Sequence, residues 1–364
     1  MLKFLHMADL HLGISYDTLP PAKAASCQKA QFSVFAQMLA IARERAVDAV
    51  LIAGDLFASP TPPTPVFRQA MDMIAAVPCP VVLSPGNHDH ICADSVYLRE
   101  QLPSNLHVFT NTVLEPYVLN AECIVWGAAF DGMTASIPLR APVTAALQNI
   151  CLIHTDLRTD SQYNHYDESE IAASGFQYLA AGHNHAGSVL KRAGKTWYCR
   201  PGALMATKSS ETGTKGCFYV ELEDGTPRIE PLIGNGIEFQ EYTIDLSPIP
   251  SDVGLQKLLV ERIPKHHSQI AATFTFTGER VYEPNFEALQ RALSQIFFHC
   301  VLRDETTVKK PLWRYLQSDD LRGSVSRSFR DRIETARDED EKADFLLAFR
   351  YALAAFDDDP PPAL

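Results

Sequence analysis

Apolar residues fall along the chain in short β-branched runs separated by longer amphipathic stretches. Leu2 to Met7, Asp48 to Ala53 and Val81 to Leu83 are too apolar to face solvent on either side and read as buried strands. Between them, Ala22 to Ala46 carries Phe32, Phe35, Met38, Leu39 and Ala42 at helical spacing. Val66 to Ala76 is a second helix, with Thr64-Pro65 read as its N-cap and first turn. Three successive strand–loop–helix units predict an α/β fold. Further strands are read at Leu106 to Phe109, Cys123 to Trp126, Asn149 to His154, Gln177 to Ala181, around Trp197 and from Lys215 to Leu222.

Turn residues at Gly234-Asn235-Gly236 mark a boundary, so residues 1–235 form one domain. Beyond it, strands at Phe239 to Leu246, Ile270 to Thr277 and Phe297 to Leu302 alternate with helices at Asp252 to Arg262 and Asn285 to Ile296. They give a small α+β module over 236–310. Residues 311–356 read as helical, with Leu321, Val325 and Phe329 on one stripe and Phe345, Leu346, Phe349, Leu353 and Phe356 on another. Two readings fit: a helix pair packed on its own chain, or a partner-binding surface. The acidic, proline-rich residues 357–364 read as a disordered tail.

Composition narrows the class. With 46% hydrophobic and 21% charged residues the chain is globular. It holds no apolar run long enough for a membrane span and no signal-peptide core, so a cytoplasmic protein is expected. Its eight cysteines include no C-x-x-C pair and read as buried free thiols. The net charge of −12 argues against coating nucleic acid through a basic surface. It leaves room for an enzyme whose bound cations reverse the sign locally.

The chemistry sits where strands end. Asp9 and His11 follow the first strand two residues apart, a spacing that points both the same way in an extended segment. Asp55 follows the second strand; Asn87, His88 and Asp89 follow the third; His154, then His183 and His185, follow later ones. Each signal alone is weak, and together they are not a coincidence of composition. Asp9, His11, Asp55, Asn87, His154, His183 and His185 are nitrogen and oxygen donors without a thiolate, which favours manganese, with iron or magnesium as alternatives, over structural zinc. Seven donors suit two ions sharing a carboxylate. Such a pair binds a hydroxide at neutral pH and clamps a phosphate. His88 remains once the ligands are counted, with Asp89 read as the acid that orients it, and is assigned as general acid for phosphoester hydrolysis. His266, His267 and His299 lack companion acids and read as structural or exposed.

In this order, D-x-H at Asp9, G-D at Asp55, G-N-H-D at Gly86, the strand-end His154 and G-H-x-H at His183 resemble the five motifs of the calcineurin-like metallophosphoesterases. A-D-L-H-L-G, G-D-L-F, R-P-G-A-L and E-T-G-T-K-G-C-F are similar to segments of DNA repair exonucleases of the SbcD type. The resemblance implies a two-sheet αββα sandwich over about residues 1–235, with 236–310 as a capping domain and a C-terminal helical segment. It implies that Asp9, His11, Asp55 and His185 hold one ion and Asp55, Asn87, His154 and His183 the other, with Asp55 as the bridge. It further implies a homodimer that cuts DNA together with an SMC-class ATPase of the SbcC type. Some family members place a second histidine directly after G-D-L-F, where this chain has Ala58. A phosphodiesterase or phosphatase for nucleotides or other small substrates, and a non-catalytic scaffold, are the alternative readings.

Overall fold

In the first strand, side chains alternate between two different cores. In the computed structural model, which describes residues 1–141, 148–157, 161, 163–263 and 268–358, Leu2 and Phe4 pack with Val125, Ile150 and Leu152, whereas Leu5 and Met7 pack with Phe35, Met38 and Ile74. The strand therefore belongs to a sheet covered on both faces, one by another sheet and one by helices.

The elements of this sandwich run, in chain order, β1 (Leu2–Met7), α1 (Pro21–Glu44), β2 (Ala49–Ile52), α2 (Thr64–Ala75), β3 (Val81–Leu83), α3 (Val96–Arg99), β4 (Leu106–Val108) and β5 (Glu115–Asn120). They continue with β6 (Cys123–Gly127), β7 (Gln148–Ile153), α4 (Glu168–Ala173), β8 (Tyr178–Ala181), β9 (Lys191–Ala193), β10 (Thr196–Cys199), β11 (Gly216–Glu223) and β12 (Thr226–Ile233). One sheet has the order β12-β11-β1-β2-β3-β4 and the other β5-β6-β7-β8-β10-β9. Strands β1 to β4 are mutually parallel, as are β6, β7, β8 and β10. Parallel pairing brings the carboxyl ends of β1, β2 and β3 to one edge, and those of β7 and β8 likewise, which is where an open α/β sheet places its site.

Three strands of the sandwich escaped the sequence pattern. β12 carries Pro227 and Pro231, tolerated because it is an edge strand. β5 contains Pro116 and is only half-covered, and β9 is three residues long with two of them exposed. At α2 the cap differs from expectation: Pro63 is the N-cap, without a side-chain hydrogen bond, and Thr64 is already helical.

Between the sheets the ring of Phe4 meets that of Tyr178 edge-on at 5.4 Å. His6 is buried in the same layer. Its Nε2 donates to the Ala181 carbonyl at 3.0 Å, so its Nδ1 accepts from the Tyr178 hydroxyl at 3.0 Å, and burial lowers its pKa to about 3. All eight cysteines are free, and all but Cys92 are buried. Burial pushes the thiols of Cys123, Cys199, Cys217 and Cys300 up to about 12.

The chain divides into two compact units: Met1–Thr243 with Ile263–Thr275 and Phe286–Arg303, and Ile244–Arg262 with Phe276–Asn285 and Asp304–Leu364. His266 and His267 lie outside the described residues. In the second unit, helices Leu321–Glu334 and Glu339–Phe356 are capped by Asp320 and Asp338 and meet through Phe329 and Phe349, whose rings stack at 5.2 Å. The stripe read on the first of these helices is shifted: Gly323 and Ser326 are buried, and Leu321 is 71% exposed. Asp357 accepts from Arg314 Nη2 at 2.6 Å and Lys310 Nζ at 3.0 Å, and residues 359–364 of the expected tail lie outside the described residues.

Phe4→Ala leaves a cavity between the two sheets. A loss of about 3–5 kcal/mol is expected, read as a lower midpoint in urea with an unchanged slope.

Candidate metal centre

Beyond the end of β1 the chain does not stay extended. Asp9 and His11 both sit in left-handed backbone, at φ 53° and 47°, and so do Asp55 at φ 52° and His183 at φ 87°. For residues other than glycine this costs about 1–3 kcal/mol each and persists only where neighbours hold it. Those neighbours are visible. The N–H of Asp9 donates to the Gly54 carbonyl and that of His11 to the Asp55 carbonyl, at 3.1 and 2.9 Å. The N–H of His183 donates to Asp9 Oδ1 at 3.1 Å. Asp9 and His11 thus converge through a ladder of loop hydrogen bonds, not through the extended alternation expected of D-x-H.

Ligand atoms of Asp9, His11 and His185 lie within 4.8 Å of one another, as do those of Asp9, Asp55 and His154 and, bringing His88 to the centre, those of His11, Asp55 and His88. The first two groups contain only expected ligands. Asp55 Oδ2 is 3.5 Å from His11 Nε2 and 3.5 Å from His154 Nε2, placing one carboxylate oxygen between the two groups. On the His154 side, Asn87 Oδ1 is 3.0 Å from His154 Nε2 and 3.3 Å from His183 Nδ1. On the other side, His11 Nε2 and His185 Nε2 approach to 2.9 Å. All seven expected ligands are therefore gathered at one edge of the sandwich.

At His154 and His185 the lone pair faces the other donors because the second ring nitrogen is already committed. His154 Nδ1 donates to the Ala53 carbonyl at 2.9 Å, which leaves Nε2 without a proton in the neutral ring. His185 Nδ1 donates to Glu211 Oε1 at 2.6 Å, which does the same for its Nε2. Glu211 is in turn fixed by the Thr207 N–H at 2.8 Å and hydroxyl at 3.0 Å. Burial favours its neutral form, but the His185 hydrogen bond and the Thr207 contacts outweigh it and keep the carboxyl below its usual range. This carboxylate–histidine pairing is a common support for a metal ligand. The role of Glu211 went unread in the sequence, where it appeared only as the first letter of E-T-G-T-K-G.

Asp89 also has a different place from the one expected. Its buried carboxylate accepts from the N–H groups of Asp55, Leu56, Phe57 and Gly86, at 3.2, 2.9, 3.3 and 2.8 Å, and from the Tyr97 hydroxyl at 2.6 Å. It braces the loops after β2 and β3 instead of orienting His88. His88 itself is exposed at the mouth, its ring edge-on to His11 at 4.8 Å and its N–H donating to Asp55 Oδ1 at 2.9 Å. The loop also needs glycine at Gly54, in left-handed backbone at φ 92°, where a Cβ would overlap the His154 ring.

The electrostatics fit a cation. Burial, and then the charge of Asp55, hold the Asp9 carboxyl well above the usual range; burial, and then Asp89, push Asp55 up to about 7. Burial lowers His154 to about 4 and His183 to about 3, and holds His11 well below the ordinary imidazole value. Asp9 Oδ2 is buried without a hydrogen-bond partner. Buried carboxylates with inward-facing imidazole lone pairs are stabilised by a divalent ion at their centre.

Residues 2–225 match the model of the calcineurin-like phosphoesterase superfamily domain. The chain belongs to that superfamily. It is 26% identical over 282 residues to YhaO of Bacillus subtilis, named an uncharacterized metallophosphoesterase, covering 72% of this chain and 68% of that protein. It is 27% identical to the DNA double-strand break repair protein Mre11 of Aeropyrum pernix, over 64% of this chain and 61% of that one. With the Mre11 of Saccharolobus solfataricus it shares 22% identity over 84% of each chain. The superfamily is one of metal-dependent phosphoester hydrolases, and the donor groups are placed to hold such metals.

Glu211→Ala should weaken manganese at the His185 group by about 10–100-fold while Asp55→Ala empties both groups, as counted by metal analysis after desalting. The pH dependence has a defined sign. Because the metal-free pKa of Asp55 is raised from 3.8 to about 7, its ionisation costs the metal-free fold stability as pH rises from about 4 through about 7, and a bound cation removes that cost. The rise in Tm on adding metal should be larger at pH 8 than at pH 5.5; an equal rise at both would contradict this electrostatic account.

Proposed function

We propose that the protein is a phosphodiesterase that uses two divalent ions, manganese by preference, and acts on DNA as a repair exonuclease or endonuclease of the SbcD type. The observation that carries the reading is Asp55 Oδ2, 3.5 Å from His11 Nε2 and 3.5 Å from His154 Nε2, with the exposed His88 beside it and His11. When bound, a metal pair supplies an activated water and neutralises the charge of the phosphate. Asp9, His11, Asp55 and His185 hold one ion in this reading, and Asp55, Asn87, His154 and His183 the other. The His88 imidazole delivers a proton to the oxygen that leaves phosphorus. Asp89 and Glu211 position the ligands without touching substrate.

DNA is favoured as substrate by the likeness to two proteins named for double-strand break repair, which extends in one case over 84% of the chain. Cationic side chains also stand beside the centre: Lys215 Nζ donates to the His185 carbonyl at 3.3 Å, and exposed Lys208 lies 3.9 Å from Glu211. Residues 236–310 are proposed as a capping domain and 311–356 as the docking segment for an SbcC-like ATPase, with a homodimer as the working form. No helix among the described residues is long and apolar enough to cross a membrane, and a cytoplasmic location is part of the proposal. The net charge of −12 favours a second reading, a phosphodiesterase for nucleotides or other small diesters. The well-supported donor set weighs against a scaffold without activity.

End-labelled single- and double-stranded DNA incubated with manganese beside bis-p-nitrophenyl phosphate separates the readings. Degradation of DNA, lost by at least about 100-fold in His88→Ala with metal content intact, is the expected result. Hydrolysis of the small diester alone would favour the second reading, and loss of metal in His88→Ala would remove its role as general acid.

A further inference from the structure

Next to the metal centre lies a cavity of ≈ 360 Å³ that the reaction as described leaves unused. Its floor is the pair of segments that follow β1 and β2, joined where the Ala58 N–H donates to the Leu12 carbonyl at 3.2 Å. Leu12, Ile14, Ala58, Pro62 and Pro63 form its walls, and His88 closes one side; the other lining residues are a glycine and two serines. None of these residues is an acid, a lysine or an arginine. The His88 ring also faces His11 at 4.8 Å, so one imidazole is the wall shared by the cavity and the metal centre.

We propose that this cavity receives the first ring of the leaving group: an uncharged, flat group, a nucleobase or aryl ring, carried by the alcohol that His88 protonates. The assignment rests on the hydrolase reading above. In that reaction the oxygen of water forms the new bond to phosphorus and gives up a proton to solvent. The old P–O bond breaks with its electron pair on the leaving oxygen, and that oxygen takes the His88 N–H proton; His88 is then reprotonated from solvent. A general acid works within about 2.6–3.2 Å of its target, so whatever the leaving oxygen carries must lie just past His88, and the cavity opens there. The volume is at the lower end of small-molecule pockets, enough for one nucleoside and too small for a stacked run of bases. Its walls hold no lysine or arginine to pair with a phosphate, while two proline rings and two branched aliphatic side chains offer a flat ring apolar contact. Ala58 controls the space, because its methyl group is the smallest side chain among the wall residues named.

The test varies the ring and the cavity together. With manganese present, kcat/KM is measured on a thymidine dinucleotide and on its analogue whose leaving residue is an abasic tetrahydrofuran, for the wild-type protein, Ala58→Val and Ala58→Phe. Wild type should prefer the ring-bearing leaving group by about tenfold or more, Ala58→Val should prefer it less, and Ala58→Phe should bring the ratio to within about twofold of one. A wild-type ratio near one, or a ratio that Ala58→Phe leaves unchanged, would overturn the assignment. If the wild type hydrolyses neither dinucleotide, the hydrolase reading fails and the assignment falls with it. A second readout requires no turnover: saturation-transfer NMR of thymidine with metal-free protein should show saturated base protons with wild type and none with Ala58→Phe, and equal signals with both would count against the cavity. Metal content equal to wild type establishes that each variant is folded.

Discussion

The carboxylate of Asp89 holds the centre together. It lies buried between the loops that follow β2 and β3 and takes five hydrogen bonds, four from backbone N–H groups and one from Tyr97. Three of those donors are consecutive, Asp55 to Phe57, in the turn that Asp55 enters with left-handed backbone. An ionised acceptor makes such bonds stronger than neutral ones, and the strain at Asp55 is held in place by them. The same charge lies close enough to raise the Asp55 carboxyl. One acid thus fixes the position of its neighbour and increases that neighbour's need for a cation.

This coupling explains why the site is assembled from loops and yet rigid. Each loop is tied to the next by backbone hydrogen bonds or by a carboxylate, and the strands that lead into them, β1, β2, β3, β7 and β8, are almost wholly buried and paired in parallel within their sheets. His6 extends the bracing inward. Lodged between the sheets, it ties Tyr178 to the Ala181 carbonyl, two residues before His183. The apolar core and the polar edge are parts of one framework.

The ligands were legible because parallel buried strands announce themselves as apolar runs, and polar residues directly after such runs have few structural reasons to be there. Asp55, Asn87, His154 and His183 follow this logic. Asp89 was misread because adjacency in sequence to His88 suggested a pair, while the loop turns the two side chains in different directions, one inward and one to solvent. Glu211 was silent because its role depends on Thr207 and on His185, a residue 26 positions away. The outer strands were obscured by prolines, which an edge position tolerates and a local pattern cannot distinguish from a loop.

The eight thiols carry a consequence of another kind. Seven are enclosed by apolar neighbours, and burial holds several of them protonated far above neutral pH, whereas Cys92, three residues past Asp89, is partly open to solvent. Alkylating reagents attack the thiolate and require access. Toward a maleimide this cysteine-rich chain therefore behaves almost as a single-cysteine protein, and a fluorophore attached to Cys92 would report from the rim of the metal centre without any cysteine being removed.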